Sequence, residues 1–298
     1  MDVNVRTPDV NELSEVSRVL EQWQSDEGPI HLHPGDLGWY SLRGAAATAA
    51  AMRVWSQGDT ALAIALIDGP QLLRFAMDPT LHQNESLARR IVSDVSEPAT
   101  GVLNAGSATI EARGAAALSE QLSKEGWLPD EPWTPLQRDL TAPIESADEG
   151  LRIETIEPDR TDEWASVHWS AFRGTPIPEE RLRNFVNGWR AAAKGPFFGS
   201  ARILSLYDDS DTVPVAIAAV WSAGVGRPGL IEPMGVHQDH RGHGYGTMMT
   251  RAASAALREM GSSSAAVCAE SSNVGAVSTY LAAGFTAHPE VTDWHRET

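Results

Sequence analysis

The chain has 298 residues, of which 42% are hydrophobic and 21% are charged, as expected for a globular protein of about two domains. This composition excludes wholly disordered, collagen-like and small disulfide-stapled proteins. The formal net charge of −17 argues against nucleic acid and against an anionic membrane as partners, because both would require a basic surface.

Acidic side chains are concentrated in the first half of the sequence. Residues 1–150 carry 10 basic and 23 acidic side chains, whereas residues 151–298 carry 13 and 17. Such an excess either steers a cationic substrate or keeps the surface solvated, and the second explanation is the simpler one.

The sequence indicates a cytoplasmic protein. Its start lacks a basic segment followed by an apolar one, and no apolar run approaches the ~18 residues of a membrane helix. The single cysteine, Cys268, lies in an apolar segment typical of a buried strand, which fits a reducing compartment.

Apolar spacing and turn residues predict a strand, a helix, a three-stranded meander, a helix and a strand–helix–strand unit in the first half. The predicted elements are 3–6, 12–23, 52–56, 61–67, 72–77, 86–95, 108–112, 115–125 and 134–140. Glycines and a proline in residues 31–39 indicate turns, with His31 and His33 on the surface and substrate contact as the alternative role of these histidines.

Residues 141–150 are polar and contain a proline, so we interpret them as a linker between domains at 1–140 and 151–298. The second half repeats the order of the elements. They are predicted at 151–155, 162–172, 179–189, 201–207, 213–221, 230–236, 247–260, 265–269 and 274–283.

The two halves are predicted to be tandem copies of one unit. The pair Gly126 and Trp127 falls on Gly284 and Phe285 at an offset of 158 residues, and the order of elements agrees at that offset. We therefore predict an α+β fold with two domains, each a central mixed β-sheet flanked by helices.

The segment from Met234 to Thr247 carries the strongest functional signal. It leaves a strand, passes glycines at 242, 244 and 246, and enters a helix. Glycines let the backbone approach a ligand, and the first N–H groups of a helix are unpaired, so such a loop binds anions such as a diphosphate. It is not a P-loop, since no Gly-Lys-Ser/Thr follows, and it does not fit the dinucleotide-binding pattern G-x-G-x-x-G.

The pattern Arg241-x-x-Gly244-x-Gly246 resembles the pyrophosphate loop of the GNAT superfamily of acetyl-CoA-dependent N-acetyltransferases. A second segment resembles the later helix of that family through Asn273, Ala276, Tyr280, Gly284 and Phe285. The resemblance covers residues 151–298. It implies an enzyme that transfers an acetyl group from acetyl-CoA to a primary amine.

The resemblance also implies roles for the matching residues. Met234, Gly235 and Val236 correspond to the splayed strand that pairs with the pantetheine arm, and Asn273 would bind the same arm. Tyr280 corresponds to the general acid that protonates the leaving CoA thiolate, and a core tyrosine is the alternative. The loop that would hold the CoA diphosphate comprises Arg241, Gly242, His243, Gly244, Tyr245, Gly246 and Thr247.

Transfer to an amine also requires a group that takes up its proton, and Glu232 is the candidate base, acting directly or through water. Alternation along the strand places it on the face of Met234 and Val236, unless a bulge intervenes. A carboxylate beside an active cleft could have its pKa raised toward neutrality. Pairing with an arginine is the alternative.

The helix over 162–172 corresponds to the acceptor side of the family, so His168, Trp169 and Phe172 are candidate substrate contacts, with core packing as the alternative. Three histidines surround the loop without cysteine or carboxylate partners that would complete a metal set, so no metal is expected. These are His237, His240 and His243. The expected partner is a small-molecule amine, and the chain would be a monomer or a homodimer.

The first half is expected to be a degenerate GNAT-like domain that supports the catalytic one and shapes its acceptor cleft. At the offset of 158 residues the functional positions fall on Gln83, Ser86, Ala88, Ala115 and Leu122. Residues 78–90 contain no glycine, and Glu85 would repel a diphosphate.

Two other functions stay open. A mycothiol synthase-like tandem acetyltransferase is suggested by the length and by 21 Arg against 2 Lys, which is typical of a GC-rich bacterium. An acyl-CoA-binding sensor or interaction module without turnover is the alternative from another class, and the intact Tyr280 favours the enzyme over it.

Overall fold

The structure is a computed structural model that describes residues 3–144, 150–208 and 212–297. The centre of the linker predicted at 141–150 lies outside the described residues. Within them, no helix is long and apolar enough to cross a membrane.

The described part of the first half contains six strands and five α-helices. The strands are β1 (Asn4–Arg6), β2 (Met52–Gln57), β3 (Thr60–Ile67), β4 (Leu72–Met77), β5 (Ala108–Glu111) and β6 (Leu128–Asp139). The helices are α1 (Leu13–Trp23), α2 (Pro34–Tyr40), α3 (Ala45–Ala51), α4 (Glu85–Ser96) and α5 (Ala116–Lys124).

The second half repeats this order with seven strands and four helices in its described residues. The strands are β7 (Leu151–Thr155), β8 (Ala201–Asp208), β9 (Ala216–Ser222), β10 (Gly229–Val236), β11 (Ser264–Glu270), β12 (Thr286–Ala287) and β13 (Val291–Arg296). The helices are α6 (Asp162–Arg173), α7 (Glu179–Ala192), α8 (Tyr245–Glu259) and α9 (Val274–Ala282).

The predicted fold of two tandem units is confirmed. Helices cover both faces of the sheet in each half, because alternate residues of the strands enter different apolar clusters. In the first half, α4 and α5 pack on one face and α1, α2 and α3 on the other. In the second half, α8 and α9 pack on one face and α6 and α7 on the other.

The strands form one continuous sheet in which the two halves exchange strands. Its order is β1-β2-β3-β4-β5-β13-β6-β11-β10-β9-β8-β7, and β12 pairs with β6. The last strand, β13, thus lies between β5 and β6 of the first half, and β6 pairs with β11 of the second. The sheet of each half is completed by a strand from the other.

The one parallel pair of each half, among the described strands, lies next to this exchange. Strand β4 runs parallel to β5, and β10 runs parallel to β11. The β10–β11 pairing covers only two register positions, Gly229 with Ala265 and Leu230 with Ala266. Beyond Leu230 the two strands diverge, which opens a gap in the sheet of the second half.

The prediction of turns over residues 31–39 is wrong, because this segment contains helix α2. Pro34 occupies its first turn, and His33 and Asp36 form a capping box at its start. The glycines are required for close packing: a Cβ on Gly35 would lie 2.5 Å from Trp221 Cβ, and one on Gly38 would lie 2.3 Å from the indole ring of the same residue.

The surface placement of His31 and His33 is also wrong, because both are buried and burial lowers the pKa of each to about 4. The backbone N–H of Gly35 donates to His33 Nδ1, so Nε2 carries the ring hydrogen and donates to Pro228 O at 3.1 Å. His33 therefore connects the first half to the strand that leads into the gap.

Four further elements differ from the sequence prediction. The alanine-rich helix α3 was not predicted, because its sequence lacks the spacing of apolar and polar residues that marks an amphipathic helix. Strand β6 begins at Leu128 instead of residue 134. Its first residues include Pro129 and Pro132, which are uncommon within a sheet and here pair with β13 beside a register shift. Strands β12 and β13 were not predicted either.

Candidate active site

A cavity of about 430 Å³ opens at the gap between β10 and β11. Its walls come from β10, β11 and α9 of the second half and from α2, β4 and β5 of the first. It therefore lies at the boundary between the halves, and both contribute side chains to it.

Glu232 lines this cavity from a bulge in β10. The register between β10 and β9 shifts between Ile231 and Met234, so the alternation expected from the sequence does not hold there. The indole Nε1–H of Trp221 donates to the backbone oxygen of Glu232 at 2.7 Å and holds the bulge in place.

The carboxylate of Glu232 also contacts an arginine, as the alternative interpretation proposed. Its Oε1 lies 3.4 Å from Nη2 of Arg74, which projects from β4 of the first half. These residues are 158 positions apart, so they occupy equivalent places in the two copies.

Tyr280 lines the same cavity from the last turn of α9 and is 6% exposed. Burial, and to a smaller extent the charge of Glu232, raises the pKa of this phenol above its ordinary value of about 10. The hydroxyl group therefore keeps its proton at neutral pH. Its ring also packs on Phe285, with 5.7 Å between the ring centroids.

The glycine loop joins β10 to α8 in the conformation that glycine favours. Gly242 and Gly244 have φ values of 83° and 84°, and Gly244 is the N-cap of α8, which no described side chain caps. The N–H groups of Gly246 and Thr247 precede the first helical hydrogen bond, from Met248 N–H to Gly244 O. They are therefore available to an anion.

Close packing explains why residue 246, the third glycine of the loop, has no side chain. A Cβ on Gly246 would lie 3.0 Å from Thr279 Cγ2 and 3.4 Å from Val236 Cγ2. The start of α8 thus lies directly against α9 and the end of β10, which carry Tyr280 and Met234 to the cavity.

The polar side chains of the loop make contacts within the protein. Arg241 Nη2 donates to Ala171 O at 2.7 Å and joins the loop to α6. The ring of His243 stacks on that of Tyr245, whose hydroxyl donates to the carboxylate of Asp208. Among the described residues, no three histidine, cysteine or carboxylate side chains are grouped so that they could hold a metal ion.

Two of the four positions expected to contact the pantetheine arm line the same cavity, and Gly235 and Val236 do not. Met234 and Asn273 line it, and the Asn273 side-chain oxygen caps α9 by accepting from Ala276 N–H at 3.1 Å. Gly235 is required by packing, because a Cβ there would lie 2.8 Å from Ala171 Cβ. Cys268 also lines the cavity, and burial raises its pKa to about 11, which keeps its thiol protonated.

Two of the three candidate acceptor contacts on α6 lie together, because the ring centroids of His168 and Phe172 are 4.8 Å apart, whereas Trp169 does not line the cavity. Phe172 is 55% exposed and lines the cavity. His168 packs among Trp39, Trp164 and Phe185, and burial lowers its pKa to about 4. Trp169 lines a separate pocket of about 300 Å³, because neighbouring helix positions are rotated by about 100° from each other.

Sequence reasoning missed the charged residues that the first half supplies to the cavity, namely Asp36, Arg74, Glu111 and Arg113. Arg74 donates to Asp36 Oδ1 and to Asp68 Oδ2, both at 3.0 Å. Burial raises the pKa of Asp36 well above its ordinary range. The offset of 158 residues could have pointed to Arg74, because it aligns Arg74 with Glu232.

Comparison with known proteins finds a family match within the second half. Residues 161–285 match the model of the acetyltransferase (GNAT) family. No curated protein matches the sequence significantly.

Solved structures match the whole fold at low sequence identity. A tandem GNAT protein from the clavulanic acid biosynthesis pathway is 17% identical, with 99% of this chain and 98% of that chain covered and a TM-score of 0.65. A GCN5-related N-acetyltransferase from Sphaerobacter thermophilus is also 17% identical, with 100% and 96% covered and a TM-score of 0.58. FemX is 10% identical, with 99% and 97% covered and a TM-score of 0.61. Residues 161–285 thus match the GNAT family model, and the fold of the whole chain is similar to that of a tandem GNAT protein.

Proposed function

We propose that this protein is an acetyl-CoA-dependent N-acetyltransferase whose chemistry takes place in residues 151–298, with residues 1–140 as a supporting domain. The observation that carries the proposal is that Glu232 and Tyr280, on different elements, line one cavity at the divergence of β10 and β11. The acceptor we propose is a small-molecule primary amine in the cytoplasm.

The residues around the cavity fit acetyl-CoA. Gly242 and Gly244 hold the loop in a conformation that exposes N–H groups at the start of α8 to a diphosphate. Beyond Leu230, β10 has no pairing with β11, so its backbone is available to the amide groups of a pantetheine arm. Acetyl-CoA bound there would supply the acetyl group as a thioester.

Glu232 and Tyr280 would move the two protons of the reaction. As the amine nitrogen forms a bond to the thioester carbonyl carbon, Glu232 would accept the proton that the nitrogen loses, directly or through water. Tyr280 would donate its hydroxyl proton to the sulfur as the carbon–sulfur bond breaks. The raised pKa of Tyr280 supports this role, because the phenol holds a proton to donate.

We propose one cofactor site per chain. The first-half counterpart of α8 is α4, where the side chain of Asn84 already accepts from Leu87 N–H at 3.0 Å. The first residue of α4 is Glu85, whose charge would repel a diphosphate. The helix start that binds an anion in the second half is thus capped and acidic in the first.

Calorimetric titration of acetyl-CoA tests the proposal. The wild type should bind one equivalent, and Gly244→Glu should abolish binding by placing a carboxylate in the diphosphate position. Gly58→Glu is the matched control, because Gly58 also has a positive φ and open space around its Cβ position but lies in the β2–β3 turn.

Each result of the titration has a clear meaning. Absence of binding by the wild type would refute the proposed acetyltransferase function. Binding of two equivalents per chain would refute the proposal that the first half has lost its cofactor site. If acetyl-CoA binds but no amine in the panel causes thiol release, the result would favour the acyl-CoA-binding sensor over the enzyme.

A further inference from the structure

A row of alternating charges runs from Glu232 into the first half. Glu232 contacts Arg74 on β4, and Arg74 is the register partner of Glu111 on the parallel strand β5. Register partners project from the same face of a sheet, so the Glu111 side chain lies beside that of Arg74. Arg113 follows on the far side of Glu111.

Glu111 is a buried carboxylate without a hydrogen-bond donor among the described residues. It is 6% exposed and lines the cavity. Its nearest cation, Nη2 of Arg113, lies 3.8 Å away, which is beyond hydrogen-bond length. Arg113 is already bound to Asp293 by two hydrogen bonds of 3.0 and 2.8 Å.

The other carboxylates around the row have their donors. Asp36 accepts from the backbone of His33 at 2.6 Å and from Arg74 at 3.0 Å, and Asp293 accepts twice from Arg113. Buried carboxylates are normally paired and hydrogen-bonded. The oxygens of Glu111 are not among the fully enclosed side-chain atoms without a partner, so they are accessible from the cavity that Glu111 lines. Glu111 is therefore able to accept a donor that enters the cavity.

The charge of the cavity favours a cation as that donor. Its acidic lining residues outnumber its two arginines, Arg74 and Arg113; they are Asp36, Glu111, Glu232 and Glu270. Even with Asp36 protonated, three carboxylates face two guanidinium groups. All three nitrogens of Arg74 already contact carboxylates, so this arginine does not attract an anionic ligand.

We propose that Glu111 binds a second cationic group of the acceptor, which makes the acceptor a diamine rather than a monoamine. One nitrogen lies beside Glu232 and Tyr280 and receives the acetyl group, and the other, an ammonium, donates to Glu111. This inference rests on the proposed function for the nitrogen that reacts. It gives the first half a direct part in substrate selection.

The test compares α,ω-diamines of three to eight carbons with straight-chain monoamines of the same lengths. Acetyl transfer is followed as thiol release, and binding to the CoA-loaded protein is followed by calorimetry. We expect at least one diamine to have a kcat/KM about tenfold or more above that of its matched monoamine, as for a hydrogen bond to a charged group.

Glu111→Gln should remove this preference by raising the KM of the diamine. Glu125→Gln, which neutralises an exposed carboxylate after α5, should keep the preference and controls for net charge. Glu111→Asp retains the charge and should retain part of the preference, which provides a second variant if Glu111→Gln does not fold.

Failure of this inference is distinguishable from failure of the proposed function. Equal use of diamines and monoamines by the wild type, or a preference that survives Glu111→Gln, would overturn the role of Glu111 while acetyl transfer stands. If acetyl-CoA does not bind, the proposed function fails, and diamine titration of the free protein still decides whether Glu111 binds an ammonium.

Discussion

Glu232 and Arg74 occupy equivalent positions in the two halves and contact each other across their boundary. One copy therefore carries the proposed base, and the other carries the cation that contacts it. In the same way, Leu122 of the first half stands at the position of Tyr280 and is fully buried in its core. The first half thus carries an arginine and a leucine at the positions where the second half carries the proposed base and the proposed acid. Two identical copies would instead have carried a catalytic pair each.

Replacement of Tyr280 by phenylalanine tests its proposed role at the level of one hydroxyl group. Loss of a general acid should lower kcat by about 10²- to 10⁴-fold and leave the calorimetric Kd for acetyl-CoA unchanged. Because burial raises the pKa of this phenol above 10, ionisation of Tyr280 should cause no loss of rate between pH 7 and pH 10.

Tyr207→Phe is the control for Tyr280→Phe, since Tyr207 is also buried but lies on β8 away from the cavity. Unchanged kcat in Tyr280→Phe would assign Tyr280 to the core and leave the proton donor unidentified.

Helix α2 shows how an element of the first half positions the candidate site of the second. The indole of Trp221 lies against the glycine face of α2, and the same indole donates to the backbone of Glu232. The position of the bulge in β10 thus depends on the close approach of a helix that is almost 200 residues earlier in the chain.

Gly38→Ala tests this connection. Its Cβ would lie 2.3 Å from the Trp221 ring, so the indole must move, and we expect a loss of about 1–3 kcal/mol in the free energy of unfolding. The displaced indole should also lower kcat by moving Glu232. Both are measured by urea unfolding and by the thiol-release assay.

Gly199→Ala is the matched substitution for Gly38→Ala, because its Cβ would have open space and Gly199 does not require a positive φ. It should leave stability and rate nearly unchanged. Equal effects of the two substitutions would contradict the packing argument for α2.

The exchange of β6 and β13 makes the two halves one folding unit at the scale of the whole molecule. Strand β13 lies between β5 and β6, and Arg296 donates to the carbonyl groups of Val95, Asn104 and Gly106 in the first half. The bidentate pair between Arg113 and Asp293 adds a buried ionic contact across the same junction.

Removal of residues 289–298, which include β13, should therefore destabilise both halves. We expect a lower melting temperature and exposure of the edges of β5 and β6, measured by calorimetry and by hydrogen exchange of the first-half amide groups. Removal of residues 297–298 alone should have little effect. Unchanged exchange in β5 after the longer deletion would contradict the coupling of the halves.

The sequence predicted what depends on local pattern, namely most of the strands and helices within each half and the glycine loop with its following helix. The prediction failed for elements whose structure depends on contacts with residues far away in the sequence. The glycines of α2 suggested turns because the indole that they pack against is Trp221, and β13 was missed because its partners, β5 and β6, belong to the other half.

The charged row escaped prediction for the same reason. Arg74 and Glu111 are single charges on apolar strands, and only the three-dimensional fold brings them to the cavity beside Glu232. Tyr280 was proposed through the resemblance of its motif, and Glu232 through its place on the strand that leads to Met234. Both residues line the cavity, and their roles stay predictions.

The exchanged strand also has a consequence for synthesis on the ribosome. Strand β5 emerges about 180 residues before β13, the strand that pairs with its free edge. During that interval the nascent first half exposes an unpaired strand edge, which is a template for association with other chains. The tandem arrangement thus delays completion of the domain that is translated first until nearly the whole of the second has been made.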